Sequence, residues 1–127
     1  MQEVDIKNLE VKLVDNYRKT YELFLKNIEI GKAEINFENG AFVIFDMNVE
    51  SKFRLQGYGE FFSDWLIENL AKSDGYNTII AKWLVPYLIM PLKRRGFSDM
   101  TKADYEKFGQ NFKKSNLGRE VSLIKVL

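Results

Sequence analysis

The stretch AFVIFDMNVESKFRLQGYG, residues 41–59, decides the fold. Its first five residues, Ala41 to Phe45, are apolar at every position, the pattern of a strand covered on both faces at the centre of a sheet. Asp46 interrupts the run, and two glycines follow at Gly57 and Gly59. From there the apolar positions become Tyr58, Phe61, Phe62, Trp65, Leu66 and Leu70, the i, i+3, i+4, i+7 spacing of an amphipathic helix that Lys72 to Gly75 closes. A fifth strand over residues 76–84 completes a strand-helix-strand unit, for which a parallel, right-handed crossover is expected.

Towards the N-terminus the period falls to two. Residues 9–14 make a first strand and Asp15-Asn16 a polar turn. A second strand is expected over residues 17–25, with Tyr17, Tyr21, Leu23 and Leu25 on one face and Arg18, Thr20, Glu22 and Lys26 on the other. A third covers about residues 28–37, where Ile35 and Phe37 are opposed by Glu34, Asn36 and Glu38, and Asn39-Gly40 is a type I′ hairpin signal leading into Ala41. The polar faces of this meander, with Lys32 added, suit a sheet surface left open to water.

Towards the C-terminus, Pro86 suits the first position of a short helix that ends in the basic turn Lys93-Arg94-Arg95 before Gly96. Pro91 is expected to kink or shorten it. Phe97 opens a sixth strand, Thr101 and Asp104 read as the cap of another helix, and residues 120–127 read as a last strand. The prediction is one α/β (α+β) domain over residues 1–127: a mixed, mostly antiparallel sheet of six to seven strands with a central strand-helix-strand crossover and few helices.

Composition narrows the chemistry. The chain has 127 residues, 46% of them hydrophobic, enough to bury one core. Nineteen basic residues against eighteen acidic leave a net charge of +1, without the positive field of a dedicated duplex DNA binder. With no Cys and no His, disulfides, Cys/His zinc sites, thiolate nucleophiles and imidazole bases are excluded. No metal is expected, and catalysis falls to carboxylates, tyrosine, lysine or backbone amides. No apolar run approaches ~20 residues and residues 1–8 are polar, so no membrane partner and a cytoplasmic location are expected.

The junction Arg54-Leu55-Gln56-Gly57-Tyr58-Gly59 lies where a central strand passes into a helix. Free amides and the helix dipole point one way there, and phosphate binds such geometry. Glycines allow a diphosphate to approach the backbone, and Arg54 adds a cation. Two glycines at a strand-helix turn are also ordinary turn chemistry. The third glycine of a dinucleotide fingerprint is absent, as is the Lys-Ser/Thr of an ATP-binding loop.

The string from Val49 to Gly59 resembles the acetyl-CoA-binding motif Arg/Gln-x-x-Gly-x-Gly/Ala of the GNAT N-acetyltransferase superfamily, and Gly96-Phe97 resembles that family's helix-ending pair. The resemblance covers about residues 41–97. It implies an acetyl-CoA-dependent N-acetyltransferase in which a primary amine attacks the thioester directly. The amides of Leu55, Gln56, Gly57, Tyr58 and Gly59 would hold the CoA diphosphate with Arg54 beside them. Asn48 and Val49 would offer backbone groups to the pantetheine arm, in a slot flanked by Val49 and Trp83.

The sequence also departs from the family. Val85 and Leu92 stand where many members carry an asparagine and a proton-donating tyrosine. Tyr87 is the nearest replacement donor, with a packing tyrosine as its other reading. Asp46 is the candidate general base, or a solvent-facing strand residue, ahead of Glu50, which reads as solvated. Only Asp15-Asn16 separates the first two strands, where members usually place two helices that shape the acceptor site. The acceptor is therefore expected to be large or to bring its own surface, as a protein or peptide amine does. The alternative function is a catalytically impaired binding or regulatory module that keeps CoA. Tyr105, Phe108 and Phe112 suit a flap or homodimer contact, or a plain core helix, and Lys113-Lys114 a solvated face. Lys93 to Arg95 already have a helix-dipole explanation, so nucleic acid is not an expected partner.

Overall fold

A computed structural model of the chain describes residues 6–108 and 121–127. Seven strands form one sheet: β1 (Leu9–Asp15), β2 (Thr20–Leu25), β3 (Ile28–Glu38), β4 (Ala41–Val49), β5 (Thr78–Leu84), β6 (Ser98–Asp99) and β7 (Val121–Val126), in the order β1-β2-β3-β4-β5-β7-β6. Neighbouring strands are antiparallel except β4 and β5, which run parallel from Phe42 opposite Ile79 to Phe45 opposite Lys82. The helices are α1 (Tyr58–Leu66), α2 (Pro86–Arg94) and α3 (Lys102–Phe108). No described helix is long and apolar enough to cross a membrane.

The unbroken apolar run of β4 has a simple cause. Ala41, Phe42, Val43 and Ile44 are all fully buried, because each face of the strand meets its own core. Phe42 and Ile44 pack with Phe62 and Leu66 of α1 and Leu88 and Leu92 of α2. Ala41 and Val43 pack on the opposite side with Ile80, Ile124, Met100 and Phe108. Phe108 is thus a core residue of α3, while Tyr105 is 38% exposed. Phe112, Lys113 and Lys114 lie outside the described residues.

Local chemistry sets the ends of elements. Asn39 and Gly40 have φ of 51° and 83°, the pair of left-handed residues a type I′ turn requires. At the end of α2, Gly96 N–H donates to Lys93 O at 3.1 Å and Phe97 N–H to Leu92 O at 3.1 Å, a Schellman closure in which buried Phe97 meets buried Leu92. Thr101 and Asp104 exchange side-chain-to-backbone bonds of 2.9 and 3.2 Å at the start of α3, a reciprocal cap.

Several boundaries differ from the expectation. The second strand starts at Thr20, because Asp15 Oδ1 accepts from the amides of Tyr17 and Arg18 and holds them in a turn. Tyr17 is therefore 96% exposed rather than inward-facing. Thr20 is buried rather than on the wet face, whereas Lys32 and Asn36 stand exposed as expected. The helix expected to run to Leu70 gives way after Leu66 to a single π-turn, Ile67–Ala71, where Lys72 N–H bonds Ile67 O at 3.0 Å. The fifth strand starts at Thr78, while Tyr76 stacks on Phe37 at 5.2 Å between ring centres. Helix α2 runs on through Pro91 to Arg94.

Phe62, fully buried between α1 and β4, is the test of this arrangement. Phe62→Ala is expected to cost about 3–5 kcal/mol. Urea unfolding should show a lowered midpoint with an unchanged slope if the core is lost and nothing else.

Candidate functional site

Pairing between β4 and β5 stops at Phe45 and Lys82. Each strand carries one residue too many at that level. On β4 the register against β3 shifts between Phe45 and Asn48, and Asp46 takes φ of 53°. On β5 the register against β7 shifts between Ala81 and Leu84, and Trp83 takes φ of 55°. Left-handed backbone at such residues costs on the order of 1–3 kcal/mol each, and bulges bend the strands that carry them. The two parallel strands therefore part just where β4 approaches the glycine turn.

The consequence falls on Val49, the last residue of β4 and almost completely buried. Glu50 N–H donates to Ile30 O on β3 at 2.7 Å. Alternation along an antiparallel ladder then turns Asn48 toward β3 as well, and Val49 N–H and C=O toward the gap that β5 has vacated. Of the two residues expected to present backbone groups here, Val49 alone does so. Buried backbone groups need partners, and side chains supply them. Val49 N–H donates to Tyr87 Oη at 2.6 Å, Tyr87 Oη donates to Val49 O at 3.1 Å, and Arg54 Nε donates to the same oxygen at 2.8 Å. The Arg54 guanidinium also lies 4.2 Å from the centre of the Tyr87 ring.

The glycine turn follows directly. Gly57 is the N-cap of α1 with φ of 93° and ψ of −1°, a conformation other residues adopt only under strain. Its carbonyl accepts from Phe61 N–H at 3.0 Å, and no side chain caps the helix. The first-turn amides of Tyr58, Gly59 and Glu60 therefore have no partner within the helix, the donor set that suits a phosphate group. Gly59 also serves packing: a Cβ there would lie 2.6 Å from Leu88 Cδ2, so the Leu88 side chain of α2 rests on this glycine. Leu55 is 77% exposed at φ of 61°. Gln56 Nε2 bonds Lys52 O at 2.9 Å, and the Tyr58 ring is buried edge-on to Phe53.

Two cavities flank the parting strands. One, lined by Val49, Arg54, Gly57, Gly59, Tyr87 and Leu88 among others, has only about 10 Å³ of free space. The other, of about 390 Å³, is lined by Lys32, Glu34, Asp46, Asn48, Trp83 and Val85, with Met47. Asp46 thus lines the larger cavity and Tyr87 the smaller. Glu50 is exposed at the start of the loop. Trp83 carries Lys82 Nζ 4.4 Å from its ring centre, and its indole nitrogen is buried with no hydrogen-bond partner among the described residues.

The departures seen in the sequence take physical form here. Leu92 is fully buried among core residues, so its position reaches neither cavity. Val85 is the N-cap of α2 in extended conformation, without a side-chain cap bond. The basic turn is neutralised: Lys93 pairs with Asp99 at 3.1 Å, Arg94 and Arg95 with Glu60 at 3.5 and 3.1 Å, and Arg95 with Asp64 at 3.3 Å. Burial pushes the Asp64 carboxyl above its ordinary range, and Arg95 opposes that shift. Two contacts had no signal in the sequence, the packing of Leu88 on Gly59 and the closure of Tyr87 on Val49, since each joins residues 29 or more positions apart.

No protein-family model matches the chain, and no curated protein does. Solved structures do. An acetyltransferase of the GNAT family from Staphylococcus aureus is 15% identical with a TM-score of 0.65, over 86% of this chain and 68% of its own. A putative N-acetyltransferase from Lactobacillus plantarum is 13% identical with a TM-score of 0.63, over 85% and 68%. An N-acetylglutamate synthase from Neisseria gonorrhoeae, complexed with coenzyme A and N-acetyl-glutamate, is 18% identical with a TM-score of 0.65, over 92% of this chain and 29% of its own. The chain therefore has the GNAT N-acetyltransferase fold, in agreement with the resemblance carried by residues 41–97.

The Gly59–Leu88 contact can be measured by a double-mutant cycle. Gly59→Ala should lower stability by about 1–3 kcal/mol, and that penalty should vanish in a Leu88→Ala background. An unchanged penalty in the double variant would place its cause elsewhere.

Proposed function

We propose that the chain is a GNAT-superfamily acetyl-CoA-dependent N-acetyltransferase, cytoplasmic, whose acceptor is a primary amine. The observation that carries this reading is a coincidence at one end of β4. An uncapped helix N-terminus behind Gly57 lies next to a strand whose neighbour has bent away, leaving Val49 N–H and C=O turned into the gap. Phosphate chemistry fits the first feature and an extended amide-bearing arm fits the second. These are adjoining parts of coenzyme A, whose diphosphate links the pantetheine arm to the nucleoside.

The residues take the following roles. The amides of the turn from Leu55 to Gly59 hold the diphosphate, and Arg54, exposed beside them, adds a cation. Val49 aligns the arm through its N–H and C=O. When bound, the cofactor supplies an acetyl group already activated as a thioester, so the chain's share is orientation and proton handling. Tyr87 Oη, on the gap side of α2, holds the proton that the departing sulfur needs, the role that buried Leu92 cannot fill. Asp46, exposed in the larger cavity, takes a proton from the incoming ammonium and leaves the free amine.

The acceptor enters through the larger cavity. This cavity opens on a face of β3 and β4 where Lys32, Asn36 and Asn48 are exposed. An amine presented by a protein or peptide suits an open face better than a small free amine does, and a second copy of the chain could complete the same face.

A second reading has its own support. Leu92 lacks a hydroxyl and the Tyr87 hydroxyl is committed to Val49, so a CoA-binding module without turnover is the alternative.

Calorimetry with CoA and acetyl-CoA, followed by thiol release with amines and peptides, separates the readings. Binding with release supports the transferase, binding without release on any acceptor supports the module, and absence of binding removes both. Gly57→Val should weaken CoA binding at least tenfold, or about 1.4 kcal/mol. Tyr87→Phe should lower thiol release by about 10²-fold.

A further inference from the structure

We propose that Tyr87 and Arg54 stand in for the strand that β4 lacks beyond Phe45, and that an extended, amide-bearing chain binds by replacing them. The identity of that chain as the pantetheine arm rests on the function proposed above. The replacement itself rests on geometry.

A peptide unit at a strand edge offers one donor and one acceptor, and an added strand answers with the opposite pair. A tyrosine hydroxyl can play both parts at once. Tyr87 Oη does so at Val49, accepting at 2.6 Å and donating at 3.1 Å. Arg54 fills the carbonyl's second lone pair at 2.8 Å and covers the tyrosine ring at 4.2 Å. The backbone groups facing the gap at Val49 are thus satisfied without a neighbouring strand. The same groups cannot serve a ligand while these bonds hold.

Space makes the same demand. The cavity against Val49 and Tyr87 holds about 10 Å³, room for about one water. A chain of peptide-like cross-section enters only after the Tyr87 side chain swings out. The exchange is nearly balanced, because the amide groups of the arm replace the bonds that the tyrosine gives up.

Two consequences follow for the site. Arg54 is held at Val49 O in the free chain and is released toward the glycine turn when the arm takes that oxygen, so phosphate capture and opening of the gap are one event. The Tyr87 hydroxyl is likewise freed only when the arm arrives. Its proton becomes available at the moment the sulfur is in place, and not before.

Amide hydrogen exchange at Val49, read by NMR on the labelled full chain, tests this without any turnover. Val49 N–H should be protected in the free protein. Tyr87→Phe should speed its exchange about tenfold or more, while amides of α1 stay unchanged and the dispersed spectrum confirms folding. Arg54→Gln, at an exposed position, should speed it less, because the hydroxyl remains. Saturating CoA should restore protection in Tyr87→Phe. In stopped-flow binding, the observed rate for the wild type should level off with CoA concentration, whereas Tyr87→Phe should bind with a rate linear in CoA.

Val49 exchange that is indifferent to both substitutions would overturn the stand-in. A wild-type binding rate that stays linear in CoA, as in Tyr87→Phe, would overturn the replacement, since no tyrosine would then have to move before the arm enters. If neither protein binds CoA, the proposed function and the displacement by its arm both fail, while Val49 exchange still decides whether Tyr87 substitutes for the strand.

Discussion

Strands β4 and β5 lie side by side for four residue pairs and then separate, because Asp46 and Trp83 each add a residue to their strand in left-handed backbone. A parallel pair that stayed in register would have used up both edges, and Val49 would be one more rung of a ladder. Instead its N–H and C=O face inward without a strand to meet them. The glycine turn, α1 and the first turn of α2 all converge on that incomplete edge. The strain of two non-glycine residues at positive φ is held by the packing around them, with Met47 and Leu84 buried beside the bulges.

The absence of histidine and cysteine fits a site of this kind. Backbone amides at the start of α1, the peptide groups of Val49 and one tyrosine hydroxyl make up most of what the proposed cofactor would touch. None of them needs an imidazole or a thiol. Elsewhere the sheet is left uncovered: residues 16–19 join β1 to β2 in a turn, and Lys32, Asn36 and Asn48 stand exposed.

Much of the fold was legible in short-range chemistry. The apolar run Ala41 to Phe45 announces a strand with a core on each side, Asn39-Gly40 a tight hairpin, and Pro86 and Gly96 the two ends of α2. These signals act over a few residues, so the sequence displays them directly. The bulges were not legible in the same way. Asp46 showed only as a charge breaking an apolar run, and nothing in the propensities of Trp83 anticipates left-handed backbone at a bulky residue. Tyr17 was misplaced because alternation alone ignored the carboxylate of Asp15, which accepts from two turn amides. At the site, Gly57 was legible as backbone freedom. Gly59 was not, since its partner Leu88 is distant in sequence and close only through tertiary packing. For the same reason Tyr87 could be read as a packing side chain or a proton donor, while its bonds to the peptide groups of Val49 left no trace in the sequence.

A crystal structure of the full chain grown with coenzyme A tests the central claim most directly. It should show the diphosphate on the amides from Leu55 to Gly59 and the pantetheine arm bonded to Val49 N–H and C=O between β4 and β5, with Tyr87 Oη moved off both. Coenzyme A bound elsewhere, or an arm that leaves the Tyr87–Val49 bonds intact, would contradict it.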